Sequence, residues 1–231
     1  MENEQPSSPQ KIKPSLVVGR FLIPLFIQTA AMLTVAFSAV HTEANGELVT
    51  LETEPVNVSK FIRNSSNQVN YNISSFQKLA EIPGWEELPG TPVPCPKNNQ
   101  PRNRQKTQCN PDAKLLDPDL TLYVILEPPT EAETGEVPTP WVAVGLSRDR
   151  PMELGENQVL IKGKSSEDLV EYEGEKFYLM RSQREEILET LDLTDKEEKL
   201  ETLMIQIKVN PRGYAVPVKL WIGDRNYSLS N

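Results

Sequence analysis

The sequence predicts a mainly β, α+β fold: one β-rich extracytoplasmic domain over residues 46–231 with one or two short helices, preceded by a single N-terminal transmembrane helix. Three observations lead there. Residues Phe21–Val40, FLIPLFIQTAAMLTVAFSAV, carry no charge. Beyond residue 46, short apolar or alternating runs recur between turn residues, the pattern of strands. Only two stretches open with helix-start signals.

Residues 1–20 are polar, with Ser and Pro in EQPSSPQKIKP, and read as a disordered cytoplasmic tail. The uncharged run that follows would span about 30 Å as a helix, the thickness of a bilayer's hydrocarbon core. Lys11, Lys13 and Arg20 precede it and Glu43 and Glu47 follow, which places the N-terminus in the cytoplasm and the bulk of the chain outside. Residues 21–41 are therefore expected to be a signal anchor, with residues 21–40 in the lipid bilayer of a cell inner membrane or thylakoid membrane. The alternative is a cleaved signal peptide ending near Ser38, since Ala36-Phe37-Ser38 before Ala39 has the small-x-small spacing of a cleavage site. That reading would release a soluble, exported binding module. The length of the run favours the anchor, because signal cores span ~7–15 residues.

The exported part numbers 186 residues, enough for one domain with a proper core. GELVTLETEPV alternates at period two, with Leu48 and Leu51 apolar amid Glu and Thr. TLYVILE (Thr121–Glu127) is denser and reads as a central strand; WVAVGL, QVLIKG and KFYLM follow as further strands. LMIQIKV and AVPVKLWI flank Asn210-Pro211-Arg212-Gly213, residues suited to a type I turn. Pro217 removes a ladder donor, so its strand must be at an edge or bulged there. Ser182 with Glu185, and Thr194 with Glu197, form two capping boxes that predict the short helices.

Between Pro89 and Pro118 lies a polar excursion rich in Asn, Gln and Pro. It holds the chain's two cysteines, Cys95 and Cys109, with thirteen residues between them. Outside the cytoplasm such a pair is expected to form a disulfide. The spacing is not that of a CxxC redox motif, and two thiols cannot complete a four-ligand zinc site. The closed loop carries Lys97, Arg102, Arg104 and Lys106 and no acid, in a chain of net charge -9. These cations are candidates for an anion-binding loop, against the simpler reading that they keep a solvated loop soluble.

From Glu54 to Ser74, EPVNVSKFIRNSSNQVNYNIS, the chain resembles the GDYXXLXY family of bacterial proteins. The family's Pro-Val-Asp and Leu-Leu-Arg lead-in corresponds to Pro55-Val56-Asn57 and Phe61-Ile62-Arg63. The motif itself falls on Asn64–Tyr71. Asn64, Ser65 and Ser66 replace Gly-Asp-Tyr, Val69 replaces leucine, and Tyr71 is kept. PGWEELP, TLYVILEPP, AVGLSRDRP, ENQVLIKGK, YEGEKFYLMRSQREEI and AVPVKLWIGDRNY continue the resemblance in order over residues 47–229, and most resemble cyanobacterial members. The resemblance implies a small extracytoplasmic domain on a membrane helix and no particular reaction. With Ser65 in place of the motif's Asp, any role of that carboxylate is absent. Asn64 could still supply a left-handed turn.

A nucleophile–His arrangement needs an imidazole, and the one histidine, His41, sits at the membrane boundary. The remaining catalytic alternative is an envelope hydrolase or peptidase with a Ser/Lys site drawn from Ser59 or Ser65 and Lys60 or Lys162. SRDRP (Ser147–Pro151) and GDRNY (Gly223–Tyr227) could converge on one polar patch, although local turn chemistry accounts for both. Trp141 and Trp221 read as core and Trp85, in a loop, as the exposed aromatic. No P-loop, dinucleotide or metalloprotease motif occurs, and the acidic balance points away from nucleic acid. The expected protein is thus a non-catalytic binding or scaffolding module for a membrane-protein partner, without a catalytic set, metal site or cofactor.

Overall fold

The computed structural model describes residues 14–64, 67–93, 114–130, 137–190 and 200–229, excluding the side chains of residues 14–21 and 33–39. It divides into two units, residues 1–41 and 42–231. Helix α1, Pro14–Asn45, supplies the first unit and enters the second. Pro24 lies inside it. Its described apolar side chains include Leu22, Ile23, Leu25, Phe26, Ile27 and Met32, all exposed. Among the described residues no helix is long and apolar enough to cross a membrane.

The second unit is mainly β. One sheet has the order β1-β12-β13-β14, where β1 is Glu47–Glu52, β12 Met204–Val209, β13 Ala215–Ile222 and β14 Arg225–Ser228. The other has the order β7-β6-β8-β9, where β6 is Thr121–Glu127, β7 Val142–Ser147, β8 Val159–Ser166 and β9 Leu169–Tyr172. Neighbouring strands within both are antiparallel. Among the described residues there are also three two-stranded ladders. They join β2 (Val56–Asn57) to β11 (Leu200–Glu201), β3 (Asn67–Gln68) to β10 (Lys176–Phe177), and β4 (Gly90–Pro92) to β5 (Lys114–Leu116).

Period-two patterning fixes the register. Leu122, Val124 and Leu126 of β6 are fully buried, as are Ile205 and Ile207 of β12, and they belong to one hydrophobic core. Each such side chain contributes roughly 1.5–3 kcal/mol of burial. TLYVILE is a central strand, as its density predicts. In β1 the buried pair is Val49 and Leu51, while Leu48 is 44% exposed. Leu48 and Leu51 are an odd number of residues apart, so one pleated face cannot take both.

The last hairpin follows its turn chemistry. Gly213 N–H donates to the Asn210 carbonyl at 2.9 Å, and Asn210 Oδ1 accepts from the backbone of Arg212 and Tyr214. Gly213 itself has φ 87°. Opposite Pro217 the β12–β13 register shifts between Gln206 and Ile207, the bulge that a missing donor requires.

Among the described residues there are four α-helices: α1, α2 (Val58–Arg63), α3 (Phe76–Leu79) and α4 (Arg181–Thr190). Helix α4 starts one residue before the predicted cap. Gln183 Oε1 accepts from Met180 N–H at 2.9 Å, so the side-chain half of a capping box acts with Met180, not Ser182, as N-cap. Of the second predicted helix, residues 191–199 lie outside the described residues, and Leu200–Glu201 pairs as a strand with Asn57 and Val56. Between α3 and β4 a 3₁₀ turn, Trp85–Glu87, follows Gly84, whose φ is 95°. An added Cβ at Gly84 would meet the Leu146 carbonyl oxygen at 2.1 Å. Gly84→Ala is therefore expected to cost about 2–3 kcal/mol, read as a lower urea midpoint with unchanged slope.

Candidate functional site

Of the motif's lead-in, Val56–Asn57 is strand β2 and Phe61-Ile62-Arg63 ends helix α2. Asn57 caps α2, its Oδ1 accepting from Lys60 N–H at 2.9 Å, and Phe61 and Ile62 enter the core while Arg63 is exposed at the last turn. Ser59 and Lys60 thus lie on this helix. Asn64 closes α2 with φ −69° and ψ 140°, an extended conformation in place of the expected left-handed one. Ser65 and Ser66 lie outside the described residues. The chain then forms β3 against β10, with Asn67 Nδ2 donating to the Phe61 carbonyl at 2.5 Å.

Val69 and Tyr71, the two remaining motif positions, are 2% and 0% exposed. The Tyr71 hydroxyl donates to the Gly174 carbonyl at 2.9 Å, and the Tyr172 hydroxyl donates to the Ile73 carbonyl at 2.8 Å. The two rings pack with centroids 6.2 Å apart. Glu175, only 3% exposed, is near enough for its charge to act on both, and its Oε1 accepts from Ser74 Oγ at 2.8 Å. Ser74 Oγ in turn accepts from Tyr71 N–H at 3.1 Å, and Val69 N–H donates to the Glu175 carbonyl at 3.0 Å.

Burial is the dominant influence on this cluster. It pushes the Glu175 carboxyl up to about 7 against the hydrogen bonds that favour its charged form. Burial, then the Glu175 charge, raises both tyrosine hydroxyls above their ordinary range. The motif segment and Tyr172–Phe177 are clasped by groups about a hundred residues apart in the chain, with |i−j| of 101 for Ser74–Glu175 and 103 for Tyr71–Gly174. Chemically this is a sealed fold-holding network. Glu175 was not singled out by the sequence; a glutamate between two tyrosine-rich strands, in YEGEKFY, is the signal that could have found it.

Two of the candidate dyad groups have partners of their own. Ser59 Oγ accepts from Arg63 Nε at 3.3 Å, and Lys162 Nζ lies 5.1 Å from the centre of the Tyr214 ring. The two Arg-Asp segments also diverge: Arg150 Nη2 donates to the Pro211 carbonyl, whereas Arg225 Nη1 donates to Thr190 Oγ1. Cys95, Cys109 and the basic residues Lys97, Arg102, Arg104 and Lys106 lie outside the described residues. The base of their loop is described, as the β4–β5 ladder. Lys114 there donates to the carbonyls of Glu86 and Leu88 at 3.1 and 2.5 Å, with its Nζ 5.3 Å from the Trp85 ring centre. Among the described residues no His/Cys/Asp/Glu group could hold a metal ion.

Trp221 is core as expected, whereas Trp85 and Trp141 depart from the expected order of exposure. Trp85 is 2% exposed, packed on Phe76 with centroids 5.7 Å apart, and Trp221 is 8% exposed. Trp141 is the half-buried one, and it lines a half-open groove of about 540 Å³. Asn45 and Glu47 form one side of the groove, and Pro128 with Trp141 flank it from the two ends of the β6–β7 connection. Leu154 and Asn157–Leu160 lead into β8, and Val209–Pro211 close the remaining side. Its volume falls within the ~300–1,000 Å³ typical of ligand sites.

A family model described as GDYXXLXY protein matches residues 28–220. No curated protein and no solved structure matches the chain.

Proposed function

Since the chain belongs to the GDYXXLXY protein family, we propose that it is a single-pass membrane-anchored protein whose extracytoplasmic domain binds or scaffolds a membrane partner without catalysis. The anchor is residues 21–41, with the N-terminus cytoplasmic and the membrane a cell inner membrane or thylakoid membrane. The uncharged run in α1, its exposed apolar side chains, and the charge asymmetry around it support this address.

The non-catalytic reading rests on one observation: Glu175, the buried carboxyl most displaced from its ordinary range, is only 3% exposed and bonded into the fold. A displaced carboxyl in an open cleft would be a candidate acid or base. Here no substrate could reach it without opening the motif clasp.

Affinity capture of the detergent-solubilised full-length protein, with mass spectrometry of the eluate, tests the reading. A stoichiometric membrane protein should come down with an intact N-terminus. A clean monomer beginning near Ala39 would sink the anchored-scaffold reading.

A further inference from the structure

We propose that the Trp141 groove is where the partner docks, and that it takes an extended cationic peptide segment of that partner. The proposal deepens the partner-binding reading above and rests on it. Trp141, Pro128, Leu154 and Pro211 give the groove an apolar lining, and among the described residues Glu47 is the one charged residue that lines it. Glu153 and Glu156, on the segment that supplies Leu154 and Asn157, are both exposed. A cation held there meets carboxylates and an indole that attracts cations at its face.

The polar lining argues against a saccharide, which needs many uncommitted donors and acceptors. Gln158 already donates to Glu127 Oε1 at 2.6 Å and accepts from Gly155 N–H at 2.7 Å. Asn210 donates to Thr42 Oγ1 and accepts from two backbone amides of its own turn. These amides hold the walls in place, so shape, apolar contact and charge are left to select the ligand.

Strand pairing adds a means of holding an extended chain. β1 is an edge strand of its sheet. Away from β12, the carbonyls of Thr50 and Glu52 accept from Trp141 N–H and Asn72 N–H, both at 2.8 Å. By the alternation of an antiparallel ladder, the backbone of Leu48 faces the same way, beside the groove. An incoming strand can pair there while its side chains reach Trp141 and Leu154.

The test titrates the full-length protein in detergent micelles with a labelled short peptide of alternating arginine and leucine. Its glutamate-for-arginine counterpart and an N-acetylglucosamine oligomer are run alongside. The expected result is saturable binding of the cationic peptide alone, weakened about tenfold or more by Leu154→Lys and by Trp141→Ala. Leu154 is 39% exposed, so its replacement leaves the core intact even if the tryptophan variant fails to fold. Binding unchanged in Leu154→Lys, binding of the oligosaccharide or acidic peptide instead, or no binding at all would each overturn the groove proposal. If a membrane partner still copurifies with Leu154→Lys, the docking site lies elsewhere and the scaffold reading survives. If the peptide binds as expected but no partner is captured, the scaffold reading is the one that fails.

Discussion

Replacing Glu175 with glutamine is expected to flatten the domain's dependence on pH and to remove a destabilisation present above neutrality. The buried carboxyl is raised in the folded state from 4.5 to about 7. A carboxyl raised on folding binds its proton more tightly in the native than in the unfolded chain. Its stabilising contribution is therefore complete below about pH 4.5 and is lost as the pH rises through about 7. A displacement of this size corresponds to roughly 3 kcal/mol, or a fall in Tm of about 6–12 °C for a domain of this length. Glu173, also raised by burial, acts in the same direction, and Glu171 adds like charge from the same turn region. Thermal unfolding of wild type and Glu175→Gln at pH 5 and pH 8 separates Glu175 from both. The slope is diagnostic, since the new amide must find acceptors and can lower stability at every pH. An identical slope in the variant would show that Glu175 does not titrate in this range.

Tyr71→Ala is expected to cost about 4 kcal/mol, and Tyr71→Phe about 1–2 kcal/mol. The larger figure is that of deleting a fully buried aromatic side chain, here 0% exposed. The smaller one is that of leaving the Gly174 carbonyl without the hydroxyl it accepts from. Urea denaturation of both variants gives the two terms by difference. A silent Tyr71→Phe would mean that the ring fills space and the hydroxyl clasps nothing. The pair of values bears on why the tyrosine stays where Gly-Asp-Tyr has become Asn64-Ser65-Ser66. Tyr71 is tied to a segment a hundred residues away, whereas the start of the motif follows the extended end of a short helix.

Features written in local chemistry were legible in the sequence. Asn210-Pro211-Arg212-Gly213 carries its turn in its own side chains, Pro217 forces a bulge through its missing N–H, and Thr121–Glu127 is dense enough in apolar residues to mark a strand inside its sheet. Helix α2 was not legible, because six residues containing Val, Ile and Phe have a strand-like composition; the Asn57 cap and the packing of Phe61 and Ile62 decide the matter. Trp85 was misread for a related reason. A loop position says nothing of what covers it, and Trp85 is covered by Phe76 and by Lys114 from across the β4–β5 ladder. Glu175 was missed because its partners come together only through tertiary structure. Of the candidate site, the sequence read Trp141 as core and did not show the groove it lines, which is assembled from both large sheets and the end of α1.

The β4–β5 ladder has a consequence for how the domain can be rebuilt. Gly90, Thr91 and Pro92 pair with Leu116, Leu115 and Lys114, so the chain departs and returns about 5 Å apart, one strand spacing. The stem thus joins, through the fold, two chain positions more than twenty residues apart in sequence. A two-residue turn could close the stem, and a foreign sequence could be spliced there, without altering the strand order of either sheet.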